Sequence, residues 1–170
     1  GKLLTKEAQR INSTNNCLYE VELKTVARLT VATLDHQGDY LKIGTAFEKL
    51  IAFAAVNDLF DDSSQMLGIY YDDPNIVELN KLRSKAGITV QKPLTNKAGI
   101  KTITVPMGRF AMITHKGPYN ELEHAYTWLY NWLINSEYTP GDHPVIEKYI
   151  NSPREVAPRE LLTDIYLSIQ

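Results

Sequence analysis

The pattern of hydrophobic and polar positions changes period several times along the chain and predicts six strands and two helices. β-Branched and apolar segments bounded by glycine are typical of strands, whereas apolar residues every three or four positions are typical of a helix. The helical stripes begin at Tyr40 and Tyr119, just after Gly38-Asp39 and Gly117-Pro118, which supply residues that commonly start helices. The members of the stripes, which are predicted to pack in the core, are Ile43, Ala46, Phe47, Leu50 and Ala54 in the first helix and Leu122, Ala125, Tyr126, Leu129 and Leu133 in the second. The predicted strands cover residues 26–34, 66–71, 82–90, 105–114, 145–150 and 163–169.

The two halves of this pattern repeat at an offset of 79 residues. The segment 36–40 has its counterpart in 115–119, and the same offset aligns Tyr70 with Tyr149. Residues 26–90 and 105–169 align without a gap and share eleven identical positions. Chance similarity of composition is the alternative, but the gapless register and the matched hydrophobicity favour an internal duplication of a strand-helix-strand-strand unit.

The duplication predicts an α+β fold, in which tandem strand-helix-strand-strand repeats form one antiparallel sheet. Both helices are expected on one face of the sheet and a ligand groove on the other. Repeat 1 should cover about residues 26–90, a connector 91–104, and repeat 2 about 105–169, together making a domain over 22–170. Residues 1–21 are polar and nearly aperiodic, so we expect a linker or a frayed helix there. Because Gly1 stands in place of an initiator methionine, we expect a piece of a longer protein.

Composition excludes several functional classes. A formal net charge of −2 lacks the basic stripe that nucleic-acid binders normally show. The single cysteine, Cys17, excludes an internal disulfide and a cysteine-based zinc site. No apolar run approaches the roughly 18 residues of a membrane span, and no signal peptide is visible. We therefore expect a cytoplasmic protein without a metal, a cofactor or a membrane partner.

An unusual set of side chains is assigned by strand alternation to the sheet face opposite the helices. A solvated face should be mostly Lys, Thr, Glu and Ser, whereas an aromatic and acidic face favours a groove. Gly68 and Gly87 would leave room in repeat 1, where Tyr70 is the counterpart of Tyr149. Trp132, beside the core stripe of the second helix, either packs in the core or leans over the groove edge. The expected lining residues are Phe110, Met112, Val145, Glu147, Tyr149, Asp164 and Tyr166.

Glu147 is the sharpest candidate for a binding residue. A carboxylate between apolar strand neighbours is desolvated, so its pKa should rise unless a cation pairs with it. A cationic apolar ligand would supply that charge while Tyr149 and Tyr166 stack on its faces. The alternative is an exposed glutamate, or one paired with Lys148 or Arg109. Lys148 itself falls on the predicted core side, where its long stem would have to carry the charge out to solvent.

Other candidate chemistry is weaker. No serine, cysteine or threonine lies in a recognisable nucleophile elbow, and no nucleotide-binding glycine pattern occurs. His36 and His115 occupy the same place in each repeat, which favours a duplicated turn hydrogen bond over a catalytic or metal-binding role.

Five segments together resemble the GyrI-like family, which includes effector-binding domains of AraC-type transcription regulators and stand-alone gyrase-inhibitory proteins. The resemblance spans about residues 22–170. It implies the duplicated fold and a central groove for small, often lipophilic or cationic molecules, in which Glu147 contacts the cation and an acid near Asp164 contributes. Departures are Lys148, where an apolar residue is usual, and Ser168, where proline commonly closes the last strand. The segments are residues 108–111, 115–119, 132–133, 145–149 and 163–166.

The resemblance implies three alternative functions. The first is a non-enzymatic effector-binding domain whose regulator contacts DNA only through an N-terminal helix-turn-helix part absent from this chain. The second is a hydrolase of small electrophiles, in which Glu147 and a groove tryptophan, Trp132 here, would act. The third is a protein that interacts with gyrase through an acidic face. The sequence makes no prediction of ligand identity or oligomeric state.

Overall fold

Eight strands and two α-helices follow one another in residues 19–170, the part of the chain that the computed structural model describes. The linker or frayed helix is expected over residues 1–21, and residues 1–18 of that segment lie outside the described part of the chain. The helices are α1 (Gly44–Val56) and α2 (Leu122–Ile134). The strands are β1 (Glu22–Val26), β2 (Leu29–Gln37), β3 (Met66–Tyr70), β4 (Arg83–Thr89), β5 (Lys101–Val105), β6 (Gly108–Lys116), β7 (Val145–Tyr149) and β8 (Leu162–Ser168).

All eight described strands form one antiparallel sheet in the order β1-β6-β8-β7-β3-β4-β2-β5. This confirms the predicted α+β fold, with a sheet that curls into a half barrel. Each repeat begins one strand earlier than its hydrophobic pattern indicated, because β1 and β5 are five-residue edge strands, too short and too little buried to stand out in that pattern. The predicted strands 26–34 and 105–114 each join the end of such an edge strand to the long strand that follows it.

The two repeats are related by a pseudo-twofold axis and exchange their first strands. β1 of repeat 1 pairs with β6 of repeat 2, and β5 of repeat 2 pairs with β2 of repeat 1. The seam between the repeats is the β3–β7 pair, in which Gly68 lies opposite Glu147. These two residues are equivalent at the 79-residue offset, which also separates Tyr70 from Tyr149. The axis therefore passes beside the Gly68–Glu147 pair.

Both helices pack on the same face of the sheet through the predicted stripes. The buried residues of α1 are Ala46, Leu50 and Ala54, and those of α2 include Ala125 and Leu129. Each helix starts after a short 3₁₀ turn, at Tyr40–Lys42 and Tyr119–Glu121, so the α-helices begin later than the pattern indicated. Neither helix, among the residues described, has the length and hydrophobicity needed to span a membrane.

The face assigned to the β7 side chains is wrong. Residues directly opposite each other in antiparallel strands share a face, and Glu147 lies opposite Ile165, which packs in the core under α2. Val145, Glu147 and Tyr149 therefore face the helices. Alternation fixes which residues of one strand share a side, but the pairing with β8 decides which side it is.

Lys148 consequently points to the face without helices, together with the residues expected beside Glu147. It lies opposite Asp164, and its ammonium group is 5.2 Å from the centroid of the Tyr166 ring. Phe110, Met112 and Tyr166 pack on this face in a separate core cluster. In this orientation of β7 the Lys148 charge does not point into the core beneath the helices, which resolves the conflict that the sequence showed.

Two equivalent leucines test the helix phasing. Leu50 and Leu129 are both 0% exposed and occupy the same slot in the two repeats. We expect Leu50→Ala and Leu129→Ala each to lower the free energy of unfolding by about 2–5 kcal/mol, the range for emptying a core leucine site. Chemical denaturation measures this, and a change within about 0.5 kcal/mol for either variant, as at a surface position, would contradict the packing described.

Candidate functional site

A buried carboxylate lies at the centre of the sheet, beneath the helices. Glu147 in β7 is only 6% exposed. The Tyr126 hydroxyl, from α2, donates to Glu147 Oε2 at 2.5 Å, and the Tyr149 hydroxyl donates to Oε1 at 2.7 Å. Among the described residues, no lysine, arginine or histidine forms an ion pair with this carboxylate. Its hydrogen-bond partners are therefore neutral groups.

A third hydroxyl reaches this network across the seam between the repeats. The Tyr70 Oη atom in β3 lies 2.5 Å from Tyr149 Oη. Because the single hydroxyl proton of Tyr149 points to the carboxylate, Tyr70 must be the donor to Tyr149. Gly68 leaves the space for this contact, since a Cβ atom at that position would lie 2.6 Å from Tyr70 Oη and 2.8 Å from Tyr149 Oη.

Aromatic rings surround the network in an arrangement that we call the aromatic box. The Tyr40 and Tyr70 rings meet edge to face with centroids 4.8 Å apart. Phe47 and Tyr119 make similar contacts with Tyr149, at 5.5 and 5.7 Å. The 79-residue offset relates the members of the box in pairs. These pairs are Tyr40 with Tyr119, Phe47 with Tyr126, and Tyr70 with Tyr149.

Burial and hydrogen bonding act in opposite directions on Glu147. Burial raises its pKa above the ordinary value, while the hydroxyls of Tyr126, Tyr149 and Tyr70 lower it, and burial dominates. The same burial, together with the charge of Glu147, raises the pKa values of Tyr70, Tyr126 and Tyr149 well above 10. The tyrosines thus stay protonated donors at physiological pH, and the carboxylate is the group of this network that can change its charge there.

Three of the predicted site residues, Tyr70, Glu147 and Tyr149, come together in this network. The others do not. Phe110, Met112, Asp164 and Tyr166 lie on the opposite face, where Asp164 accepts a hydrogen bond from the Thr114 hydroxyl at 2.6 Å. Trp132 packs against the core under α2, and its ring stacks on Tyr138 with centroids 6.2 Å apart.

Sequence reasoning missed Tyr40, Phe47, Tyr119 and Tyr126 as members of the site. The apolar spacing places Phe47 and Tyr126 in the helical core stripes, and Tyr40 and Tyr119 at the helix starts. The available signal was the repeat itself, because all four residues occupy equivalent aromatic positions next to a strand pair that contains Tyr70 and Tyr149.

The part of the chain that the structure describes contains no group of three or more His, Cys, Asp or Glu residues placed to hold a metal ion. A single carboxylate among hydroxyls and aromatic rings can pair with an organic cation, or it can accept a proton. Both roles need a carboxylate whose negative charge is poorly compensated by the protein. Glu147 meets that condition, because it is buried and its described hydrogen-bond partners are neutral hydroxyls.

Comparison with known families places this site in context. The profile of the GyrI-like small molecule binding domain matches residues 19–170, which is the whole described domain. The chain belongs to the GyrI-like family. The resemblance seen in the sequence is thereby confirmed, and the domain is a small-molecule-binding domain.

Two curated relatives represent two functional descriptions within this family. A probable transcriptional regulator, YgiV of Escherichia coli K12, is 24% identical over 158 residues, which cover 91% of this chain and 98% of the relative. A DNA gyrase inhibitor 2 of Dickeya dadantii is 26% identical over 114 residues, which cover 65% of this chain and 71% of the relative.

Solved structures share the fold at low sequence identity. EcmrR in its complex with DNA has a TM-score of 0.82 and 18% identity, and the match covers 99% of this chain but only 65% of the EcmrR chain. The isolated EcmrR C-terminal domain has a TM-score of 0.75 and 20% identity, with 90% and 98% of the two chains covered. This chain therefore corresponds in extent to the C-terminal domain of EcmrR.

Two further structures differ in their description. SAV2435, solved with bound tetraphenylphosphonium, has a TM-score of 0.62 and 14% identity, with 89% of this chain and 94% of SAV2435 covered. A protein of Listeria innocua described as a hydrolase has a TM-score of 0.61 and 13% identity, with 89% and 92% covered. The fold thus occurs in proteins with different descriptions, so function must be argued from the site.

Gly68→Ala tests the contact between the two tyrosine hydroxyls. The added methyl group would lie within 3 Å of both hydroxyl oxygens, so we expect a loss of about 1–3 kcal/mol in the free energy of unfolding. Gly44→Ala is the matched control, because no atom lies within 4 Å of its added methyl group, and it should be neutral or stabilising by up to about 1 kcal/mol. Equal effects in urea denaturation would contradict the crowding described at the seam.

The raised pKa of Glu147 predicts a stability that depends on pH. A carboxyl group whose pKa is raised by folding is protonated more readily in the folded state, so its ionisation destabilises the fold as the pH rises above the ordinary value of 4.5. Glu147→Gln removes that ionisation. We expect the variant to have the larger free energy of unfolding at pH 7–8 and the difference to vanish below pH 4.5. Urea denaturation as a function of pH measures this, and a variant less stable than the native protein at pH 7 would refute it.

Proposed function

We propose that this domain binds small lipophilic cations as effectors and that Glu147 is the residue that pairs with their charge. One observation carries the proposal: Glu147 is buried, and within residues 19–170 its carboxylate accepts hydrogen bonds from tyrosine hydroxyls and forms no ion pair. Neutral donors compensate a buried negative charge less completely than a cation does, and isolated buried charges are costly. An organic cation would supply the missing counter-charge.

The aromatic box favours a delocalised cation over a small hydrated one. A lipophilic cation loses little hydration when it enters a dry site, and its charge is attracted to the faces of aromatic rings. Tyr119 and Phe47 flank Tyr149 next to the carboxylate. The structure of SAV2435 with bound tetraphenylphosphonium supports the choice of ligand class, since that ligand combines a single positive charge with aromatic groups.

Glu147 is only 6% exposed, so contact with a ligand requires one of the side chains that cover its carboxylate to move. Tyr149 belongs to the same strand as Glu147, whereas Tyr126 is presented by α2. We infer that Tyr126 is the side chain that moves, since a helix side chain can turn away without disturbing the sheet.

The regulator role is the second part of the proposal. The relatives include a probable transcriptional regulator, and the matched fold recurs in the EcmrR–DNA complex, whose chain is longer than this one. We propose that the domain reports ligand binding to a DNA-contacting part outside this chain, in a cytoplasmic regulator. The net charge of −2 supports this, because it gives the domain no general attraction for DNA.

Hydrolysis is the alternative function, and the same carboxylate favours it. A buried glutamate with a raised pKa can act as a general base towards water, and one protein of this fold is described as a hydrolase. Trp132, proposed as its groove partner, stacks on Tyr138 instead. Turnover of a small electrophile that Glu147→Gln abolishes would favour the enzyme.

Calorimetric titration with tetraphenylphosphonium and with the neutral triphenylphosphine oxide tests the main proposal. Glu147→Gln should weaken cation binding by at least about 30-fold, the lower end of the range for deleting one member of a buried charge pair, and should leave binding of the neutral compound nearly unchanged.

Asp164→Asn is the matched control for that titration. Asp164 is a carboxylate of the neighbouring strand that faces the other side of the sheet, so its removal should leave both affinities unchanged. Equal cation affinity in the native protein and Glu147→Gln would reject the charge-pairing role. A loss only in Asp164→Asn would place the site on the opposite face.

A further inference from the structure

We propose that Tyr70 is a positioning residue for the ligand-binding carboxylate, which it orients and keeps ionised through the hydroxyl of Tyr149. This inference rests on the proposed function, in which Glu147 receives the ligand. Its basis is the line of hydroxyls from Tyr70 Oη to Tyr149 Oη, at 2.5 Å, and on to Glu147 Oε1, at 2.7 Å.

The direction of the protons along this line favours the ionised carboxylate. With Glu147 ionised, Tyr70 donates to Tyr149 and Tyr149 donates to Glu147, so every proton has an acceptor. A protonated Glu147 that donated to Tyr149 would turn the Tyr149 proton towards Tyr70. The Tyr70 proton would then lose the acceptor that it has at 2.5 Å. Placing the proton on Oε1 therefore reverses two hydrogen bonds rather than one.

The line also joins the two repeats. Tyr70 belongs to β3 of repeat 1, whereas Tyr149 and Glu147 belong to β7 of repeat 2. The ring of Tyr70 is supported by Tyr40, whose own hydroxyl donates to the Asp72 carbonyl at 2.9 Å. Repeat 1 thus fixes Tyr70, and Tyr70 in turn fixes the orientation of a carboxylate that repeat 2 supplies.

The groups facing Glu147 make it the titrating member of the cluster. In the described residues the titratable groups around it are tyrosines, from β3, from β7, from α2 and from the turn before α2. The apolar neighbours are Phe47 from α1 and Ile165 from β8. Burial is the first cause that raises the pKa of each of these tyrosines above 10, so a response between pH 4 and 9 belongs to Glu147. The tyrosines are Tyr70, Tyr149, Tyr126 and Tyr119.

A carboxyl-carbon NMR titration of Glu147 in the ligand-free chain tests the proposal without any ligand. The variants are Tyr70→Phe, Tyr149→Phe and the double variant. Tyr70→Phe should move the titration midpoint upward, and Tyr149→Phe should move it at least as far. Because Tyr70 acts largely through Tyr149, the double variant should shift the midpoint by clearly less than the sum of the two single shifts.

Tetraphenylphosphonium titrations at several pH values give the functional readout. At pH 6, Tyr70→Phe should bind the cation about tenfold more weakly than the native chain, the equivalent of one charge-assisted hydrogen bond, and the difference should shrink at pH 8.5. A uniform loss at both pH values would indicate a merely structural role and would overturn the proposal.

Tyr71→Phe is the control, because it removes the hydroxyl of an exposed tyrosine next to Tyr70 whose ring lies beside Arg83, outside the line. It should leave the Glu147 midpoint unchanged. A native-like midpoint in Tyr70→Phe, or an equal further shift when Tyr70→Phe is added to Tyr149→Phe, would overturn the proposal. If Tyr70→Phe did not fold, as judged by thermal unfolding, an unchanged midpoint in Tyr149→Phe would overturn it instead. Equal cation affinity in the native protein and in Glu147→Gln would reject the proposed function but not the role of Tyr70. The ligand-free titration would still decide that role.

Discussion

The Glu147 carboxylate is buried at the seam between two repeats, and tyrosine hydroxyls rather than cations bind it. Removing a carboxylate from water costs several kcal/mol unless other groups replace the lost solvation. Hydroxyl donors replace part of it, and the raised pKa of Glu147 shows that the compensation is incomplete. The remaining cost can be relieved by a proton or, under the proposed function, by a cationic ligand. The imbalance that destabilises the empty domain would then also be the source of its affinity for cations.

The duplication explains why this charge stands alone. The pseudo-twofold axis brings equivalent positions of β3 and β7 face to face, and two carboxylates there would repel each other. Gly68 takes the place of the second one and leaves room for the hydroxyls of Tyr70 and Tyr149. Phe47 likewise takes the place equivalent to Tyr126, the donor from the helix. The two repeats thus contribute equivalent aromatic rings to the box, whereas its negative charge comes from repeat 2 alone.

The sequence allowed the fold and the central carboxylate to be predicted, but not the surroundings of that carboxylate. The 79-residue repeat and the leucine stripes contain the information on the sheet and helices. Alternation within β7 could not decide its face, because that depends on the pairing of Glu147 with Ile165 in a distant strand. Lys148 was the one local sign of the correct orientation. The helical stripe predicts Tyr126 as a core residue, because the spacing of apolar positions does not distinguish a ring that packs from a hydroxyl that binds.

The most direct test of this account is the number of protons released when tetraphenylphosphonium binds. Calorimetry in buffers of different ionisation enthalpy measures that number as a function of pH. A cation that pairs with Glu147 lowers the pKa of the carboxyl group, so binding should release protons as the pH falls into the range where the free protein is partly protonated, and Glu147→Gln should release none. Binding without proton release at any pH, or equal release in Glu147→Gln, would contradict the central claim.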